Sequence, residues 1–437
     1  MIQENWNVLV FPAGTEHGLE IWKSLKDCKE IELFAATVKG INHSEYIYTN
    51  VHYLPSVYEN DWFIKLQDII EECKIDIIYP ANSFVIDKLI EKRDILKCRL
   101  ALPSNDLIKI TRSKLNTIEI LKESIPTPEI YSINSEFIQY PVFVKPVNGY
   151  GSQNSNIIES EEILNIYFRD KNINEYIIQE LLPGREYSID CISDKNGLIY
   201  CSPRTRERIR MGTSMHSEIV QGEIKDILIN YANKIFSKIP ITGAWFFQVK
   251  EDRNGKFKLL EVEIRIAGTM SLNRVLGINF PLLSLYIFEN LNVHTLINNI
   301  NIKIDRCLLN RYSHNLNFNK VFIDLDETII MSGKRINTDI IKFLFQCVNK
   351  GILIVLISKN LSEHKTEYLR KLRIHDLFDD IFWLDEKENK CDYLIKYGFE
   401  NSIFIDDSFS TRQEVSLKLS IPTFDCSMIE MLIDDRI

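Results

Sequence analysis

Two parts of the sequence set ionisable side chains at the ends of apolar runs, where they can meet phosphate and a divalent cation. The sharper one is Val321-Phe322-Ile323-Asp324-Leu325-Asp326-Glu327-Thr328. An apolar strand runs straight into Asp-x-Asp-x-Thr, and two carboxylates two residues apart point the same way and can share one cation. Further stations follow in order. Ser358 closes the run Leu353–Ile357, Lys387 follows a helical segment, and Asp406-Asp407 closes Ile403–Ile405. In a parallel sheet the carboxyl ends of strands are where ligands gather, so these polar groups can face one phosphate. Asp-x-Asp alone is a weak pattern, common on exposed turns; the ordered set gives it weight.

The other part is spread along the first three hundred residues. Val142-Phe143-Val144-Lys145 ends a strand in lysine and leads into a small-residue loop with Gly149, Gly151 and Ser152. The lysine can reach the α- and β-phosphates of a nucleotide, and loop N–H groups can cover its triphosphate. Because the lysine precedes the glycines, this is not the Gly-x-x-x-x-Gly-Lys-Ser arrangement. Later, Ile177-Ile178-Gln179-Glu180-Leu181-Leu182 is an apolar strand exit whose backbone can pair with adenine, and Glu186 can take ribose hydroxyls. Gln248, Glu261 and Glu263 sit on strand-like runs, the two glutamates on one face, a group suited to hard cations bridging phosphates. Arg204, Arg206, Arg208 and Arg210 alternate, so in a strand they would share a face and clamp a carboxylate or phosphate, Arg206 and Arg210 foremost. The plainer reading of that run is a solvated edge strand. Asn273 and Arg274 are weaker candidates. Trp245-Phe246-Phe247 reads as core, and His17 and His216 as loop histidines near these groups rather than assigned members.

Strands and helices must carry these residues. Asn7–Phe11, Ile31–Ala36, Asp76–Tyr79 and Leu100–Leu102 read as strands with helices between, which argues a parallel sheet over about residues 1–105. From 106 to 300 a helix at Asp106–Ser124 precedes closely spaced strands, Val142–Lys145, Tyr176–Glu180, Tyr187–Ser193 and Leu198–Ser202, the pattern of an antiparallel sheet in an α+β region. Residues 301–318 are Asn-rich and poorly periodic, as in a linker. From 319 to 437 the strand–helix alternation resumes as a compact doubly wound domain.

The stations of residues 319–437 resemble the haloacid dehalogenase superfamily, in its branch with a phosphatase-like, glyceryl-transfer-type domain. The resemblance implies Asp324 as nucleophile, Asp326 as general acid and then base, and Ser358 and Lys387 as holders of phosphoryl oxygens. It implies a magnesium site of Asp324, Asp326 and Asp406, with Asp407 beside it. The short interval between Thr328 and Ser358 leaves no room for a large cap, so the site would be open; the alternative is a degenerate domain kept for structure. Residues 1–300 resemble the ATP-grasp superfamily, closest in look to its carbamoyl-phosphate-synthetase-like group, the first sheet included. There the resemblance implies Lys114 and Lys145 on phosphates, Gln179, Glu180, Leu181 and Leu182 around adenine, and Glu186 on ribose. Gln248, Glu261 and Glu263 would hold one or two Mg2+ (or Mn2+), and Arg265 would stabilise the moving phosphoryl group. The usual Glu-x-Asn-x-Arg reads Glu261-Val262-Glu263-Ile264-Arg265 here, which adds a negative charge to the metal site.

The expected architecture is therefore α/β and α+β in several domains, and the expected activity is an ATP-dependent carboxylate–amine ligase joined to an aspartate-nucleophile phosphatase. A small-molecule kinase and a non-catalytic nucleotide-binding scaffold are the alternatives. With 52 basic against 61 acidic residues, a formal charge of −9, the chain has no general field for nucleic acid. No apolar run reaches membrane-spanning length, and the start lacks a signal-peptide pattern. The nine cysteines lack Cys-x-x-Cys spacing and read as reduced thiols in a cytoplasm. Small-molecule substrates are the expected partners, with oligomeric state open and a homodimer among the options.

Overall fold

The structure is a computed structural model that describes residues 5–135, 137–149, 154–210, 212–331, 335–359 and 365–436. It divides into two compact units, Met1–Leu308 and Leu309–Ile437.

The first unit opens with a parallel sheet of β1 (Trp6–Phe11), β2 (Ile31–Val38), β3 (Asn50–Leu54), β4 (Ile77–Pro80) and β5 (Arg99–Leu100), in the order β3-β2-β1-β4-β5. β1 is apolar along nearly its whole length because both of its faces are covered. Its alternate residues feed two different cores: Leu9 and Phe11 one, Val8 and Val10 the other. An antiparallel sheet follows, β6 (Ile130–Tyr131), β7 (Val142–Pro146), β8 (Asn156–Ile158) and β9 (Tyr176–Glu180), in the order β6-β9-β7-β8. The second antiparallel sheet has β10 (Glu186–Ser193) and β11 (Leu198–Thr205) beside β14 (Gly243–Glu251) and β15 (Phe257–Glu263). A third, small sheet joins β12 (Glu207–Arg210), β13 (Thr213–Glu218) and β16 (Lys303–Asp305).

Three features differ from the sequence reading. The helix expected over Asp106–Ser124 is two helices, Asn105–Arg112 and Lys114–Leu121, because Ser113 is extended and caps the second by accepting from Asn116 N at 3.2 Å. β3 is an additional strand. The linker expected from residue 301 begins instead with β16, paired antiparallel with β13.

The second unit is built on a parallel sheet of β17 (Lys320–Ile323), β20 (Leu353–Ser358), β21 (Asp380–Trp383), β22 (Ser402–Ile405) and β23 (Thr423–Phe424), in the order β21-β20-β17-β22-β23. Between β17 and β20 lie a two-stranded hairpin, β18 (Ile330–Met331) with β19 (Arg335–Ile336), and the helix Thr338–Asn349. Among the described residues no helix is long and apolar enough to cross a membrane.

Candidate nucleotide and phosphate sites

The first unit holds a cavity of about 450 Å³. Strand parity decides what faces it. On β14, Phe246, Gln248 and Lys250 line the cavity, whereas Trp245, Phe247 and Val249 pack into the core. Glu261 stands opposite Gln248 across the β14–β15 pairing. Lys145 comes from β7, Gln179 from β9, Leu181 and Leu182 from the chain between β9 and β10, and Glu186 from the start of β10. Lys114 enters because Ser113 breaks the helix, which makes Lys114 the first residue of the next one and sends its N–H to Val147 O at 3.1 Å. His17 and Ser83 reach the cavity from the first turns of the helices after β1 and β4, Glu16–Leu25 and Ser83–Ile90, and Arg265 from just beyond β15.

Lys145 is buried and Lys114 half-buried beside Glu261. Lys145 is 6% exposed and, among the described residues, donates to Leu260 O at 3.2 Å. Burial and then the neighbouring Lys114 charge push its ammonium down to about 8, against the pull of Glu261. Lys114 Nζ donates to Gly149 O at 2.6 Å and lies 3.9 Å from Glu261. Near them Gln179 Oε1 is buried with no hydrogen-bond partner among the described residues. Glu186 is gripped by Arg206 at 2.6 Å, with Lys250 at 3.9 Å. Oriented to satisfy its neighbours, Gln248 donates its amide to Glu261 at 3.2 Å and accepts from Arg206 at 3.0 Å.

Arg265 is held on several sides. It donates to Ser83 Oγ at 3.2 Å, Ile266 O at 3.1 Å and His17 Nε2 at 2.9 Å, and lies over the Phe246 ring at 5.1 Å. Arginine cannot accept, so Nε2 of His17 is unprotonated and the ring is neutral. Burial and then the charges of Arg265 and Arg306 hold His17 well below the usual imidazole range. Glu263 is buried beside Arg265, 3.4 Å from its Nε; burial raises its carboxyl, with Arg265 opposing.

The cavity thus gathers Lys114, Lys145, Gly149, Gln179, Leu181, Leu182, Glu186, Arg206, Gln248, Glu261 and Arg265. Other expected members stand elsewhere. Glu180, one residue out of phase with Gln179, turns its carboxylate to Lys258 and Glu129 N. Asn273 is buried against Asp190, and Arg274 pairs with Glu20 at 2.9 Å. The arginine run does not share a face, because the strand stops at Thr205 and Arg208 has a positive φ of 45°. Arg204 is buried in a two-bond pair with Asp190, Arg208 bonds Asp305, and Arg210 is exposed. Gly151 and Ser152 lie outside the described residues. Ser83 is a member the sequence reading missed; its signal was Asn82, which caps the helix Ser83–Ile90 by accepting from Val85 N.

In the second unit, Asp324, Asp326, Ser358 and Asp406 stand at or just past the carboxyl ends of β17, β20 and β22. Lys387 is exposed; the lysine at the centre is Lys390, whose Nζ donates to Asp324 at 2.5 Å and Asp406 at 2.7 Å. Asn389 caps the helix Lys390–Tyr397, so its first residue, not the loop before it, turns inward. Burial pushes Asp324 up to about 7, Lys390 working against that shift and Asp406 with it. Ser358 Oγ is buried without a partner among the described residues, and Thr328 Oγ1 accepts from Asp407 N at 3.0 Å. Asp326 is exposed. Among the described residues no three carboxylate, histidine or cysteine side chains form a metal-holding group. In the second unit Lys390 bonds both Asp324 and Asp406, and in the first Arg265 lies 3.4 Å from Glu263.

Residues 172–304 match a family described as ATP-grasp in the biosynthetic pathway with Ter operon. The chain is 28% identical over 145 residues to a D-alanine–D-alanine ligase of Pelagibacter ubique (strain HTCC1062), covering 32% of this chain and 43% of that protein. It is 30% identical over 147 residues to a carbamoyl phosphate synthase large chain of Clostridium botulinum (strain Eklund 17B / Type B), covering 31% of this chain and 14% of that one. The chain thus spans less than half of either relative. Among solved structures, the biotin carboxylase domain of Hydrogenobacter thermophilus 2-oxoglutarate carboxylase superposes with a TM-score of 0.58 at 15% identity, covering 67% of this chain and 71% of that one. An L-amino acid ligase from Bacillus licheniformis gives a TM-score of 0.53 at 16% identity, covering 67% and 75%. The ATP-grasp family match over residues 172–304 thus lies within a mixed α/β, multidomain architecture.

Proposed function

We propose that the first unit is an ATP-dependent ligase that joins a carboxylate to an amine, and that the second is an aspartate-nucleophile phosphatase acting on a phosphorylated substrate or product of the same pathway. The observation that carries the ligase reading is the buried Lys145 with its part-buried neighbour Lys114, both lining one cavity with Arg265. An ammonium kept this dry beside a second positive charge suits a polyanion, and Gln179 Oε1, without a partner among the described residues, offers an acceptor to an adenine amino group. The named activities of the ligase relatives agree with this reading.

Lys114 and Lys145 would hold the phosphates, Leu181 and Leu182 would flank the base, and Glu186, released from Arg206, would take the ribose. Glu261 and Glu263, with Gln248 once its amide turns over, fit a magnesium ion through oxygen donors. Such an ion, when bound, neutralises phosphate charge so that an anionic acid can approach. The acid's carboxylate attacks the γ-phosphorus, ADP departs, and the amine displaces phosphate from the acyl carbon, leaving an amide and releasing a proton. Arg265 is fixed by Ser83, His17 and Ile266, so it meets the charge on the transferring group without having to reorient.

In the second unit Asp324 would be the nucleophile and Asp326 its acid–base partner, with Ser358 and Lys390, not Lys387, on the phosphoryl oxygens. The test is a screen of acids against amines following ADP release, with Lys145→Ala as control, alongside p-nitrophenyl phosphate cleavage by wild type and Asp324→Asn. ADP release needing both co-substrates is the expected result. Release with a single hydroxyl-bearing acceptor would make the first unit a kinase instead, and cleavage undiminished in Asp324→Asn would remove the phosphatase assignment.

A further inference from the structure

Just past β16 an arginine stands behind two residues that line the cavity. Asp305 stands opposite His216 in the β13–β16 pairing, and the following N–H, of Arg306, donates to Met215 O at 2.8 Å. Arg208 fixes this turn by bonding both Asp305 and the Arg306 carbonyl. The Arg306 side chain is thereby laid against Gly268 and Glu16, both of which line the cavity. Its Nη2 donates to Glu16 at 3.2 Å. Its Nη1 is buried without an acceptor among the described residues and lies 3.4 Å from where a side chain on Gly268 would begin. A guanidinium fork half satisfied behind a glycine is suited to a planar or tetrahedral anion approaching from the cavity side.

We propose that Arg306 is the residue that selects the acid substrate, by binding an anionic group set apart from the carboxylate that reacts beside Arg265. The proposal rests on the ligase reading above, and makes the acid a small molecule with a second carboxylate or a phosphate. Glu16 is the stand-in for that group. Its side chain is 56% exposed, so it can swing into solvent when a substrate anion takes over the fork.

Initial rates of ADP release test this with saturating ATP and hydroxylamine as the amine, on the full chain. Succinate and phosphoglycolate serve as the doubly charged acids, which separate carboxylate from phosphate, and butyrate as the singly charged one. Arg306→Gln should raise KM for the preferred doubly charged acid about 10- to 100-fold, the loss of one charged hydrogen-bonding partner. It should leave kcat, KM for ATP and the rate with butyrate unchanged. Arg306→Lys should recover part of the loss, and Glu16→Gln should lower KM. An unchanged KM in Arg306→Gln, an equal rise in KM for ATP, or a wild-type preference for butyrate would overturn the proposal. Absence of ADP release with every acid would count against the ligase reading. Calorimetry of succinate and phosphoglycolate binding to the ADP-loaded protein then judges Arg306 separately: binding weakened by Arg306→Gln upholds it, and no binding, or binding equal in both proteins, overturns it.

Discussion

Nucleotide binding should take up a proton at Lys145, and the amount can be worked out beforehand. Burial and Lys114 hold this ammonium at about 8 in the nucleotide-free protein. A triphosphate beside it returns the pKa toward the ordinary lysine value of about 10.4. The bound pKa then lies above the free one, so binding is favoured below the free pKa and weakens as pH rises through it. The neutral fraction, and hence the uptake, is about 0.1 proton at pH 7, about 0.5 at pH 8 and about 0.9 at pH 9. Affinity should accordingly fall about tenfold between pH 7 and 9, or about 1.4 kcal/mol. Isothermal titration of a non-hydrolysable ATP analogue, repeated in buffers of different ionisation enthalpy, reads the uptake directly as a slope. Lys145→Arg, whose guanidinium stays charged, should bind with no uptake at pH 8. A wild-type slope of zero at pH 8, or the same slope in Lys145→Arg, would refute the assignment of this lysine to the phosphates.

The other expectations are structural as well as catalytic. Lys390→Met leaves Asp324 and Asp406 facing each other without their ammonium and should destabilise the second unit by about 3–5 kcal/mol. Lys387→Ala should stay within about 0.5 kcal/mol; thermal melts and p-nitrophenyl phosphate rates compare the two. Arg204→Met strands the fully buried Asp190 and should cost about 3–5 kcal/mol, with Arg204→Met/Asp190→Leu recovering much of it in denaturant melts. Ser113→Ala removes a helix cap worth about 1 kcal/mol and, by fraying the turn that carries Lys114, should also weaken nucleotide binding in the same titration.

Residues whose position follows from strand phase were readable in advance. Lys145, Gln248 and Glu261 follow from apolar strand runs and Arg265 from the ATP-grasp resemblance, and all four line the cavity. Phase failed where the backbone changes conformation within the run. The arginine series assumes an unbroken strand, but the positive φ at Arg208 turns the chain, so neighbouring arginines find separate carboxylates. Glu180 was grouped with Gln179 although alternation places them on opposite faces. Lys390 lies one residue past a helix cap, and the difference between Lys387 and Lys390 is nearly a full helical turn. Ser113 splits a helix that reads as continuous because its neighbours on both sides favour helix. β16 was hidden because a three-residue strand in an Asn-rich segment is set by its distant partner β13, not by its own composition.

The opening sheet and the antiparallel sheet behind the cavity share their interiors: Leu9 and Phe11 belong with Phe247 and Leu259, and Val8 and Val10 with Phe246 and Ile266. A boundary drawn at residue 105 would therefore be a boundary in chemistry only. Cutting there would expose two apolar surfaces at once. Val8 to Phe11 pack in the same interiors as the strands behind the cavity, so a lesion in the first strand reaches the cavity wall through the core.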